Sequence, residues 1–259
     1  MTLASKPAFR RIVVDLKPPV VRIALRNPPL NVIDMEMIGE LLAALEQIEA
    51  IRQVSAIVFG GSEDAFSAGV DIAVHAPETV RGMLTAFHGV IRAIAATKRL
   101  TVAVVRRHCL GGGAELALLC DIVYAAPDAV FGFPEIKLAC FPPVAAVALA
   151  SVVGQKLATE MVLTGRTLTA QEALIAGLVN GVADDPETLA SECLSRVSQL
   201  SPAALSLAKK AFYAWDSIHF DKGLARAEQI YLDELMQTLD AQEGIRAHLE
   251  RRRPVWAGK

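Results

Sequence analysis

The stretch TVAVVRRHCLGGGAELALLCDIVYAA, Thr101 to Ala126, decides how this chain folds. TVAVV, Thr101 to Val105, is a short run of β-branched and small apolar residues and reads as a buried strand. Gly111, Gly112 and Gly113 follow; without side chains, the backbone there can turn sharply and approach a ligand closely. Ala114 to Leu119 then reads as a helix, and DIVYAA, Asp121 to Ala126, as a returning strand. A helix that begins on glycines offers free amides at the positive end of its aligned peptide dipoles.

Working toward the N-terminus, the alternation continues. IVVDL, Ile12 to Leu16, and VVRIAL, Val20 to Leu25, flank a Lys-Pro-Pro turn and predict a hairpin. After Asn31, Asp34 can cap a helix that carries Ile38, Leu41, Leu42, Leu45 and Ile48 at helical spacing. SAIVFG, Ser55 to Gly60, is a strand buried on both faces, and GSEDAFSAGVD, Gly61 to Asp71, a loop of small residues. A second helix beginning near Pro77 carries Val80, Leu84, Phe87, Ile91 and Ile94. Strand, loop and helix repeat in turn, which predicts a layered α/β body. A GxGxxG after the first strand and a GxxxxGK[ST] loop are both missing, so neither a Rossmann nor a P-loop site is expected.

Beyond Leu138 the pattern turns helical, with segments at Pro142 to Val153, Gln155 to Leu163, Thr169 to Ile175 and Pro186 to Leu200. Ser201-Pro202 is a helix start, and Lys222 to Leu239 reads as one further helix. The division drawn is a catalytic core over 1–200 and a helical oligomerisation region over 201–259, because helices away from a sheet must bury their apolar faces elsewhere.

A chain of 259 residues that is 53% apolar can bury a large core. Its 26 basic and 28 acidic residues leave a net charge of -2, so no positive field gathers nucleic acid or anionic lipid. MTLASKPAFRRIVVDL does not read as a signal peptide, and PPVAAVALASVV is too short to span a bilayer; a cytoplasmic protein is expected. Cys109, Cys120, Cys140 and Cys193 lack zinc-site spacing, and the five histidines form no recognisable metal cluster. His108, beside the glycines, reads as a residue for packing or for hydrogen bonding behind the site, and Asp71 as one that holds its loop.

Two carboxylates carry the chemical expectation. Glu115 alone reads as an acidic side chain near the positive end of a helix, and Glu135, in FGFPEIKL, Phe131 to Leu138, as an ordinary loop residue. The strand between them can return the chain so that both face one cavity. Two such groups a few ångströms apart drive one pKa up, giving a proton donor and an acceptor near neutral pH.

The chain resembles the crotonase, or enoyl-CoA hydratase/isomerase, superfamily. The resemblance rests on RNPPLNVID (Arg26 to Asp34), AFSAGVDI (Ala65 to Ile72), CLGGGAELALLCDIVYA (Cys109 to Ala125), FGFPEIKL and LTGRTLTAQEALIAGLVNGV (Leu163 to Val182). It implies an α/β fold, a spiral of ββα units with a C-terminal helical region that builds trimers or hexamers (dimers of trimers). It implies an acyl-CoA substrate and no metal or redox cofactor, coenzyme A being part of the substrate. The family's oxyanion amides fall on Val70 and Gly112. Its catalytic carboxylates fall on Glu115, which activates water, and Glu135, which delivers a proton. Coenzyme A would lie near Arg26, Ala68, Asp71 and Ile72, with the basic tail ERRRPVW, Glu250 to Trp256, close to ligand or subunit interface.

Phe133 stands where the family often has Gln, and FPPVAAV, Phe141 to Val147, replaces a glycine-rich stretch. Phe133, Phe141, Pro142 and Pro143 are therefore expected to form a restricted apolar acyl pocket. This loop and the segment Tyr231 to Trp256 resemble hydratases of cyclohexa-1,5-diene-1-carbonyl-CoA, which serve anaerobic degradation of aromatic compounds. The resemblance implies hydration of that cyclic thioester to its 6-hydroxycyclohex-1-ene counterpart. A linear 2-enoyl-CoA hydratase, an enoyl-CoA isomerase and a non-enzymatic acyl-CoA scaffold are the alternatives.

Overall fold

The computed structural model describes residues 9–76, 78–213 and 216–258. Its N-terminal strands β1 (Ile12–Lys17) and β2 (Val20–Leu25) form the expected antiparallel hairpin. They are followed by α1 (Met35–Glu49), which Asp34 caps by accepting the Met37 amide at 2.8 Å. Three further repeats of a long strand and a short one follow. The first comprises β3 (Ala56–Gly60), β4 (Ala65–Ser67) and α2 (Val80–Ala96). The second comprises β5 (Leu100–Val105), β6 (His108–Leu110) and α3 (Gly112–Leu118). The third comprises β7 (Ile122–Ala125), β8 (Val130–Gly132) and a 3-10 turn at Pro134–Leu138. This is the spiral of ββα units that the resemblance implies.

The long strands join one sheet in the order β1-β2-β3-β5-β7-β10, parallel from β2 onward and closed by β10 (Gly181–Val182). The short ones form a second sheet, β4-β6-β8-β9, in which β9 (Thr167–Thr169) runs antiparallel to β8. Alternation explains why β3 and β5 are apolar throughout. Ile57, Phe59, Ala103 and Val105 face the main core, while Ala56, Val58, Val102 and Val104 are covered from the other side by Ala190 and Leu194 of α7 (Pro186–Val197). Each large side chain buried in this way contributes roughly 1.5–3 kcal/mol.

The remaining helices are α4 (Pro143–Val153), α5 (Gln155–Thr164), α6 (Ala170–Ile175), α8 (Pro202–Tyr213), α9 (Asp216–Gln229) and α10 (Leu239–Leu249). Four expectations are corrected. The segment expected as a loop at 61–71 contains β4. Pro77 lies outside the described residues, and the helix after it starts at Val80. The helix expected to reach Leu200 ends at Val197. The single helix expected over Lys222 to Leu239 ends at Gln229 and widens into a π-helical turn, Ile230–Glu234. Thr238 then breaks the run: its hydroxyl donates to Leu235 O at 2.8 Å and accepts the Ala241 amide at 3.1 Å, capping α10.

Leu224, Tyr231, Met236, Ala241 and Ile245 join the main core, so much of 201–259 packs on the α/β body. Helix α8 differs. It is docked by Lys209, whose ammonium meets Asp121 at 2.7 Å, yet it has no buried residue and exposes Leu207 and Phe212. Among the described residues no helix is long and apolar enough to cross a membrane.

Candidate active site

The second sheet places the candidate residues. Strands β4, β6 and β8 are adjacent and parallel, so their exits lie side by side. The exit of β4 carries Val70, that of β6 carries Gly112 and, one turn into α3, Glu115, and that of β8 leads through Pro134 to Glu135. Each comes from a different repeat, and 20 residues of chain separate the two glutamates without separating them in space.

Close packing at the exits requires glycine. A Cβ on Gly69 would stand 3.1 Å from Leu110 O and 3.4 Å from Gly112 N, and one on Gly112 would stand 2.6 Å from Val70 Cγ2. Asn31 secures the β4 side: buried, with a left-handed φ of 50° that asparagine tolerates, it donates to Ala65 O at 2.8 Å. Its carbonyl accepts Ser67 Oγ at 2.7 Å, and Ser67 Oγ accepts the Gly69 amide at 3.1 Å. Ile33 donates to Gly69 O at 2.9 Å and accepts from Asp71 N at 3.1 Å. The intervening amide of Val70 is thereby turned away from Ile33, to the side of the cavity that Val70 lines. Gly112, the first residue of α3, also lines this cavity, and its amide has no partner within the helix.

The cavity, of about 90 Å³, is lined by Ala68, Val70, Ile72, Gly112, Glu115 and Glu135 and roofed by Phe141, Pro142 and Pro143. Glu115 is 3% exposed; its Oε1 accepts the amides of Val144 at 2.9 Å and Ala145 at 3.1 Å, in the first turn of α4. Burial raises its pKa to about 7 against the opposing pull of those two amides. Glu135 is half-buried as a residue, yet its Oε2 is sealed from solvent and has no hydrogen-bond partner among the described residues. Burial, and next the charge of Glu115, push its pKa up to about 8. Such a pair can hold one proton between two carboxyls near neutral pH, beside two amides able to polarise a carbonyl oxygen.

The other expected residues divide. Phe133 is buried but does not line the cavity; it packs in the core, while Phe141, Pro142 and Pro143 line the cavity. Asp71 uses its carboxylate to cap the turn after it, accepting the Ala73 amide at 3.0 Å. Arg26 is exposed and borders a separate cavity with Phe9, Ile12 and Ile48. In the basic tail Arg252 is taken up by Glu243, at 2.5 and 2.9 Å, and by Glu250, at 2.6 Å, while Arg251 and Arg253 are exposed.

Tyr231, Cys140 and His88 are among the lining residues that sequence reasoning missed. Tyr231 stands in the π-helical turn, edge-on to Phe141 with ring centroids 5.2 Å apart. Cys140 and His88 complete that side of the wall. A histidine within the apolar stripe of α2, beside Leu84 and Ile91, was the one available signal; nothing in the local sequence around Tyr231 marks it. Among the described residues no group of three or more His, Cys, Asp or Glu could hold a metal ion.

A sequence profile of the family described as Enoyl-CoA hydratase/isomerase matches residues 16–259. The chain belongs to this enoyl-CoA hydratase/isomerase family. Among curated relatives it is 32% identical to the cyclohexa-1,5-dienecarbonyl-CoA hydratase of Thauera aromatica, over 100% of both chains. It is 35% identical to the 2,3-dehydroadipyl-CoA hydratase of Escherichia coli K12, over 96% of each. Among solved structures, an enoyl-CoA hydratase from Mycobacterium avium subsp. paratuberculosis superposes with a TM-score of 0.86 at 28% identity, over 96% of this chain and 100% of that one. As a member of the enoyl-CoA hydratase/isomerase family, the chain is an enzyme acting on acyl-CoA thioesters, of the hydro-lyase type.

Proposed function

We propose that this enzyme adds water across the double bond of a linear 2-enoyl-CoA thioester, using Val70 and Gly112 as oxyanion donors and Glu115 and Glu135 as the acid/base pair. The reading is supported by one observation: three neighbouring strand exits put Val70, Gly112, Glu115 and Glu135 in the lining of one cavity. The thioester oxygen accepts from the two amides. Glu115, ionised, takes a proton from water as its oxygen bonds the β carbon; the electron pair of the double bond passes to the thioester oxygen as an enolate. Glu135, protonated, returns a proton to the α carbon, and the carbonyl re-forms. Donors aimed at the enolate oxygen stabilise it more than the neutral carbonyl, and losing one such donor costs about 3 kcal/mol in comparable sites.

Coenzyme A is read as lying along Ala68, Asp71 and Ile72, with Arg26 toward its phosphates. The exposed apolar side chains of α8 support assembly into a trimer or hexamer, which light scattering on the purified protein measures.

A second reading, hydration of a cyclic dienoyl-CoA, is favoured by the full-length likeness to the Thauera aromatica hydratase and by the Phe141-Pro142-Pro143 roof. Turnover of crotonyl-CoA and of cyclohexa-1,5-diene-1-carbonyl-CoA, with product identification in ¹⁸O-labelled water, decides between them. A kcat/KM higher for the cyclic substrate would displace the linear reading; a shifted double bond without label would replace hydration by isomerisation.

A further inference from the structure

His88 stands in the α2 wall of the cavity with no accessible surface. Its Nδ1 lies 2.6 Å from Glu228 Oε1, which also accepts Arg92 at 2.9 Å. A carboxylate engaged by an arginine acts as an acceptor, so Nδ1 carries the ring proton and Nε2 is a bare lone pair. Burial, the largest influence on the ring, lowers its pKa below the usual histidine value against the pull of Glu228, which keeps it neutral. Nε2 is buried and has no hydrogen-bond partner among the described residues. The two ring nitrogens point in nearly opposite directions. Because Glu228 holds Nδ1 from α9, Nε2 turns away from that carboxylate, and the ring borders the cavity.

A buried acceptor without a donor is costly, and it remains so when hydrocarbon is packed against it; a ligand that brings a donor removes the cost. Sites built around a hydrogen-bonding group discriminate by this difference far more sharply than apolar walls discriminate by shape. The charges that act on His88 come from Glu228 and Arg92, whereas Glu115 and Glu135 act on Tyr231. His88 shares its wall with Met83, Leu84 and Phe87 of the same helix, apolar neighbours that suit an acyl chain.

We propose that His88 Nε2, its tautomer set by Glu228, is a specificity determinant that accepts a hydrogen bond from a hydroxyl group on the acyl chain remote from the thioester. The substrate class is then a hydroxylated acyl-CoA, and the proposal rests on reading the cavity as an acyl-CoA site. Glu228 is a positioning residue, since it acts through His88.

Binding tests this without requiring turnover. Dissociation constants are measured by calorimetry for saturated butanoyl-, pentanoyl- and hexanoyl-CoA and for their ω-hydroxy counterparts. At one chain length the hydroxyl tightens binding to the wild-type protein by about tenfold. In His88→Phe that ratio falls to near one, and His88→Gln, whose amide oxygen reaches the place of Nε2, restores part of it. Glu228→Gln, which frees the tautomer, also lowers the ratio, and it carries the decision if His88→Phe does not fold. A ratio near one at every length in the wild type, or one that survives these substitutions, overturns the proposal. Hydration of crotonyl-CoA is assayed in parallel: hydroxyl-selective binding without hydration would sink the hydratase reading alone, and hydration without selectivity would sink only the role of His88.

Discussion

Gly111 and Glu135 occupy space that a single methyl group would contest: a Cβ on Gly111 would stand 2.8 Å from Glu135 Oε1. Gly111 also holds a left-handed φ of 51°. Gly111→Ala therefore strains the backbone by about 1–2 kcal/mol and displaces the carboxyl as well. Hydration should fall by at least about tenfold, while thermal unfolding shows a fold that is weakened but retained; full activity would mean that the position of Glu135 is immaterial.

Glu115→Gln tests the base. The amide oxygen of glutamine can still accept the Val144 and Ala145 amides, so the first turn of α4 keeps its partner. It cannot take a proton from water. Turnover of a 2-enoyl-CoA should drop by about 10²–10⁴-fold with little change in melting temperature. Glu115→Ala removes the acceptor too and should lower both.

The pair also sets a pH profile. Hydration requires Glu115 ionised, so kcat/KM rises with pH through about 7, and Glu135 protonated, so it falls again above about 8. Because the groups interact, the two limbs report the pair as a whole. A maximum between those values is expected. A profile flat from pH 5 to 10 would exclude the pair as the proton-transfer groups.

Stability should respond in the opposite sense to that of an ion-paired carboxylate. The folded pKa of Glu135 lies above its unfolded value, so between the two the folded state binds more protons. Its contribution is fully present below the ordinary carboxylate range and is lost as pH rises through about 8. Glu135→Gln should thus raise the melting temperature relative to wild type more at pH 8.5 than at pH 4.5, a difference readable by calorimetry.

Where a pattern is long enough to repeat, the sequence was legible. Helices α1 and α2 carry their apolar residues at helical spacing, and β3 and β5 are continuous apolar runs because both faces are covered. The three-residue strands β4, β6 and β8 were not legible as strands: they are defined by pairing across some forty residues of chain in the case of Ala65 and His108, and three residues carry no period. The end of α9 at Gln229 and the π-helical turn after it were missed because a helical apolar pattern continues through them. For the site, Glu115 and Glu135 were legible as a candidate carboxylate pair, Val70 and Gly112 came from the resemblance, and all four line one cavity. That Glu115 leans on the amides of α4, or that Phe133 faces the core and not the cavity, depends on contacts between distant segments that local residue types do not encode.

The convergence of β4 and β6 has an evolutionary consequence. In the proposed site two of the four acting groups are main-chain amides, which among side-chain replacements only proline would remove, whereas the acid and base are ordinary exchangeable residues. Mutation on this scaffold can therefore swap the proton-handling groups and explore new reactions while the capacity to stabilise an enolate is inherited intact.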